Sequence, residues 1–202
     1  MPGPKIKGRK LDVVSLDLIT ENDRVRFQNM LINGKKPTVP PEATGSWSIG
    51  EYSSTVTVIL QSRSKAKFKA EGQATIASRT SLKYFFVVDE VHSRWLLINH
   101  SQRYMPAYSG NIWFDEETAR VLRVEVNTDS TPLGFPIERV SSAVEYAFFR
   151  LGSQQFLLPA HAEVVNCDRG KAISCSRNEI EFSGYRKFSA DSTIRFEKDP
   201  RF

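Results

Sequence analysis

The segment YSGNIWFDEETARVLRVEV, residues 108–126, decides how the chain is read. Two alternating apolar stretches flank the run Glu116–Ala119. In the second stretch Leu122, Val124 and Val126 share one side, and Val121, Arg123 and Glu125 the other. A period of two marks a strand lying on a core, because successive side chains of extended backbone leave on opposite faces. The spacing predicts adjacent antiparallel strands carrying Trp113-Phe114-Asp115 and Leu122-Arg123-Val124, joined by a turn at Glu116–Ala119. Asp115 then accepts hydrogen bonds from the turn backbone or from Thr118, as short acidic side chains do at turns.

The same alternation extends in both directions. Strands are expected at 11–19, 24–32, 65–71, 80–91, 94–100, 107–115, 119–128, 138–151, 154–166, 177–188 and 193–197, with short turn signals between most of them. In 140–149, Val140, Ser142, Val144, Tyr146 and Phe148 share a face, and Ser141, Ala143, Glu145, Ala147 and Phe149 share the other. One apolar and one mixed face suit a single curved layer. Residues 35–46 hold three prolines and read as a loop. Residues 48–60 read as a helix: Ser48 and Glu51 have capping-box spacing, and Ile49, Tyr52, Val56, Ile59 and Leu60 form one apolar stripe. The expected fold is mainly β, a strongly curved antiparallel sheet or unclosed barrel, with one or more helices over its concave face.

Composition is that of a globular chain: 40% hydrophobic and 25% charged in 202 residues. No apolar run is long enough to span a membrane as a helix. The formal net charge is +5, but four of those charges are Lys5, Lys7, Arg9 and Lys10. Residues 1–10 read as a solvated basic tail, and the nearly neutral remainder argues against nucleic acid, which needs a basic stripe on the domain. MPGPKIKGRK has no apolar core of a signal peptide, so the chain is either cytosolic or a mature or truncated form.

Cys167 and Cys175 are the only cysteines. If 154–166 and 177–188 pair as a hairpin, they sit at facing strand ends, where antiparallel Cα separations of about 4.5–5.5 Å overlap disulfide geometry. The favoured reading is a structural disulfide around Asp168-Arg169-Gly170; two free buried thiols, or a metal or redox pair, are its rivals. A disulfide implies an oxidising compartment, the periplasm or outside for a bacterial chain.

Nothing points to catalysis, a metal or a cofactor. His92, His100 and His161 show no metal-ligand spacing, and no nucleophile elbow, Walker loop or dinucleotide fingerprint occurs. Asp89-Glu90 and Asp115-Glu116-Glu117 fall at strand ends and read as solvated turns; Asn99-His100-Ser101 reads as a chance sequon. Aromatics including Phe85, Phe86, Trp95, Trp113, Phe114, Tyr146, Phe148, Phe149 and Phe156 populate the strands. Most belong to a core, yet a curled sheet under one helix can hold a cavity for an apolar ligand.

Residues 108–126 resemble the G-x-hydrophobic-W-hydrophobic-D-x-x-T-x-x-hydrophobic-R motif of the LolA/LolB-like superfamily of bacterial envelope lipoprotein carriers. VEYAFFRLGSQQFLLPAHAEV (144–164) resembles the strands that follow it there. LPAHAEVVNCDRG, CSRNEIEFSGYRKF and GSWSIGEY are similar to segments of a secreted bacterial group within that superfamily, and the resemblance covers about residues 11–197. It implies a single half-barrel domain over 11–202, helices across the concave side and acyl-chain binding beneath them. The expected function is a non-catalytic periplasmic or secreted module for a lipid or other apolar ligand, with an envelope protein as a further partner. Its alternative is an interaction module with a filled interior. The residues expected to touch a ligand are Ile49, Tyr52, Val56, Ile59, Leu60, Phe86, Trp113 and Phe148.

Overall fold

The computed structural model describes residues 10–21, 24–39, 46–48, 50–52, 54–129, 131–170 and 174–187. The basic tail before Lys10, Ile49 and the expected strand at 193–197 lie outside them. Where one domain was expected over 11–202, contacts divide the chain between Trp47 and Ser48 into two compact units.

In the first unit, β1 (Val14–Glu21) pairs antiparallel with β2 (Arg24–Ile32). At an irregularity in the pairing, Asn29 takes a φ of 50° and its amide donates to Asp17 Oδ2 at 2.6 Å. The strand ends at Asn33-Gly34, with φ of 51° and 76°, in the left-handed region that Asn and Gly tolerate best. Asn33 ties this turn back, accepting from Val13 N at 2.9 Å and donating to Asp12 Oδ1 at 2.6 Å. Phe27 and Trp47 meet edge to face at 5.6 Å.

The second unit opens with α1 (Ser54–Leu60), followed by β3 (Lys67–Ile76), β4 (Arg79–Val88), β5 (Leu97–Asn99), β6 (Gln102–Tyr104), β7 (Tyr108–Asp115), β8 (Val121–Thr128), β9 (Ile137–Leu151), β10 (Gln154–Asp168) and β11 (Ser174–Glu181). Seven strands form one antiparallel sheet in the order β11-β10-β9-β8-β7-β4-β3, which is not closed. β5 and β6 are a separate short hairpin, formed where one strand was expected over 94–100. No described helix is long and apolar enough to cross a membrane.

One face of the sheet makes the main core. Phe86, Val88, Tyr108, Ile112, Val124, Val126, Val144 and Ala162 are buried there with Ile59 of α1. Removing these side chains from water is the chief driving force for docking the helix. Leu97, Phe135, Ile137, Val140 and Val164 form a second cluster, with Trp95 packing against both. Gly110 in β7 is required by close backbone approach, since a Cβ there would lie 1.8 Å from the Glu125 carbonyl oxygen.

Two expectations need correcting here. Trp113 pairs with Arg123 but Phe114 pairs with Val121, so the β7–β8 ladder bulges at Leu122. The extra residue breaks the simple alternation, and Val121 packs against the core instead of facing away from it. The helix starts at Ser54, not Ser48. Ser54 N and Thr55 N donate to Gly50 O, so a turn precedes it, and Ser48 Oγ meets the Glu51 carboxylate at 2.6 and 2.7 Å without capping a helix. β-branched Thr55-Val56-Thr57-Val58 does little to extend α1. It ends where buried Ser64 donates to Ile59 O at 2.7 Å and Gln61 O at 2.8 Å, satisfying carbonyls that the helix leaves open.

Candidate functional site

The Glu116–Ala119 turn is built as its residue types demand. Ala119 N donates to Asp115 O, and Thr118 donates to Asp115 Oδ2 through Oγ1 at 2.6 Å and through N at 3.2 Å. Arg79 completes the site, its Nε reaching Oδ1 at 2.9 Å and its Nη2 reaching Oδ2 at 2.8 Å. These bonds, Arg79 first and Thr118 second, outweigh burial and lower the Asp115 carboxyl to about 2. A buried carboxylate that accepts four hydrogen bonds from Arg79 and Thr118 holds the turn.

The cysteines are bonded. Cys167 faces Cys175 in the β10–β11 register, and the disulfide joins them with Cα atoms 4.0 Å apart. Arg169 ties the same end of the hairpin to the 131–136 loop, donating to Pro132 O at 3.0 Å and Thr131 O at 3.2 Å. His161 Nδ1 lies 2.7 Å from Glu181 Oε1 across β10 and β11.

An open groove of about 700 Å³ lies beside α1. Val56 of α1 and Tyr52 of the turn before it form one wall; Arg120, Val121, Tyr146 and residues 154–157 form the rest. The bulge at Leu122 is what brings Val121 to this side. The β9–β10 hairpin runs past the last β8 pair at Arg123↔Glu145, and this extension supplies Tyr146 and Gln154–Leu157. Burial, with negative Glu51 adding to it, raises the Tyr146 phenol well above its ordinary value, so its hydroxyl stays a proton donor. Glu51 is itself buried and held by Ser48 and, at 3.4 Å, by Ser142 Oγ of β9. The Tyr52 ring packs 6.0 Å from Phe182.

Of the residues expected at a ligand, Ile49 lies outside the described residues, and among the others Tyr52 and Val56 line this groove. Ile59 is 1% exposed and Phe86 fully buried, both inside the core. Leu60 is 46% exposed and faces water, because Thr55 and Ile59, one turn apart, form the buried side of α1. Trp113 alternates with Ile112 onto the opposite face, where Lys83 and Arg123 lie over its ring at 5.5 and 5.8 Å. Phe148 lies beneath the Arg79 guanidinium at 5.2 Å. Arg120, Val121, Gln154, Gln155 and Leu157 were not expected at the groove. The Gly152-Ser153 turn was the available signal for the hairpin end, but its position over the sheet depends on strand order.

Fold and site together define a mainly β protein with an open antiparallel sheet, a short helix on one face and a groove beside that helix. Comparison of the chain with protein-family models, curated proteins and solved structures finds no significant match.

Proposed function

We propose that the protein is a non-catalytic binding module for a lipid or other apolar ligand, of the LolA/LolB-like half-barrel kind, acting in the bacterial periplasm or outside the cell with an envelope protein as partner. The groove between Tyr52 and Val56 on one side and Val121, Tyr146, Phe156 and Leu157 on the other carries the reading. Its volume falls within the range of small-molecule sites, and its walls are largely apolar or aromatic. An open sheet with a helix over its core face is what a half-barrel carrier requires, and the Cys167–Cys175 bond supports an oxidising compartment.

One observation favours a second reading, a module that binds protein and no lipid. Ile59, Phe86 and Tyr108 are packed in the core that the C-terminal half of α1 covers, so among the described residues the open space lies at the Tyr52–Val56 end. An apolar fluorescent probe separates the two. The carrier reading expects a micromolar Kd, roughly −8 kcal/mol. Val56→Asp should abolish binding; if that variant does not fold, Gln155→Trp should obstruct the groove from an exposed position. Absence of probe binding to the folded wild-type protein overturns the carrier reading.

A further inference from the structure

Resting on that groove being a ligand site, we infer that its ligand is an amphiphile with one acyl or alkyl chain and a phosphate-type anionic headgroup, the headgroup lying on Arg150, Arg186 and Lys187. A second open cavity, about 470 Å³, sits at the tip of the β9–β10 hairpin. Arg150, Leu151, Gly152, Tyr185, Arg186 and Lys187 line it, giving three cations and no carboxylate. Lys187 joins it to the apolar groove. Its Nζ donates to Gln154 Oε1 at 3.1 Å and lies 5.7 Å from the centre of the Phe156 ring, and both of those residues line the groove. Arg120 adds a fourth cation on the groove wall.

Elsewhere on the sheet most cations are matched; among the described residues Lys69 of β3 and Arg139 of β9 are not, and neither lines these two cavities. Arg79 pairs with Asp115 and Glu117, Lys83 with Glu71, Arg123 with Glu125 and Glu145, and Arg177 with Glu163 and Glu179. Arg120, Arg150, Arg186 and Lys187 have no carboxylate partner among the described residues. Cations gathered without a counter-charge repel one another, and an anion placed among them relieves that repulsion. Guanidinium forks match carboxylate and phosphate oxygens alike, but three gathered cations attract the greater charge of a phosphate more strongly than a singly charged carboxylate. The apolar groove beside the cluster gives the attached chain its place.

The experiment titrates the full chain, by calorimetry, with decyl phosphate, decyl maltoside, decanoate and inorganic phosphate, each amphiphile below its micelle concentration. Decyl phosphate is expected to bind at least tenfold tighter than the other three. The double variant Arg150→Gln, Arg186→Gln, changed only at exposed side chains that do not line the groove, should lose that advantage and keep decyl maltoside binding. Equal affinity for decyl phosphate and decyl maltoside overturns the headgroup assignment while the groove stands. Equal affinity for decanoate overturns the choice of phosphate. Inorganic phosphate binding as tightly as decyl phosphate removes the chain from the site. Binding of no amphiphile removes the groove reading, and this inference with it.

Discussion

Replacing Asp115 by Asn takes a charge out of the Arg79–Asp115–Thr118 cluster while nearly preserving its shape. Asp115 is 2% exposed and receives four hydrogen bonds, two from Arg79 and two from Thr118. Lowering its carboxyl from 3.8 to about 2 corresponds to about 2.5 kcal/mol of folding free energy at neutral pH, because the folded chain holds the proton more weakly than the unfolded chain. Arg79 is one-third exposed, and solvent screening reduces the figure to about 1–2 kcal/mol. The folded value is the depressed one, so this stability is fully present above about pH 4 and is lost as pH falls towards 2. Urea denaturation followed by circular dichroism between pH 2 and 7 should show wild type and Asp115→Asn separated by about 1–2 kcal/mol at pH 7. The gap should close below pH 3. Affinity for an apolar probe should not change, since Asp115 does not line the groove. Equal stability at pH 7, or a gap independent of pH, would refute the argument; loss of probe binding at full stability would move Asp115 into the site.

Gly110→Ala should prevent folding or cost several kcal/mol, seen as loss of the cooperative thermal transition, because the new Cβ meets the Glu125 backbone at 1.8 Å; Gly134→Ala, with open space around it, is the control. Ile59→Ala should cost about 2–5 kcal/mol in denaturant titration, whereas Leu60→Ala should stay within about 0.5 kcal/mol. The reverse order would place α1 with its other face on the sheet. Protein folded under oxidising conditions should show no reactive thiol in denaturant until reductant is added. Reduction should then cost at most about 2–3 kcal/mol, the loop between the cysteines being short.

Local physics was legible along much of the chain. The turn at Glu116–Ala119, the Asp115–Thr118 bond and the facing positions of Cys167 and Cys175 follow from residue type and short spacing. The helix was legible as an apolar stripe but not in its extent: Ser48 and Glu51 have the spacing of a capping box, yet their side chains bond each other in a turn ahead of the helix, where Glu51 also accepts from Ser142, ninety-one positions away. The candidate site was legible only in Tyr52 and Val56. Its remaining walls come from the far end of the β9–β10 hairpin and the start of β8, segments brought beside α1 by strand order rather than by proximity in the chain.

By itself, the amino-acid order determined which segments are extended, where most turns fall and which strands follow as hairpins, because alternation and turn chemistry act over a few residues. Only the tertiary structure decided which face of each strand is covered. A single extra residue at Leu122 carries Val121 to the core side, and Trp113 turns away from Ile112 towards Lys83 and Arg123. It also decided that Arg79 meets Asp115 and that three unmatched cations gather beside an apolar groove. Those arrangements join residues distant in sequence, whose encounter is set by sheet register and packing, terms that no local pattern contains.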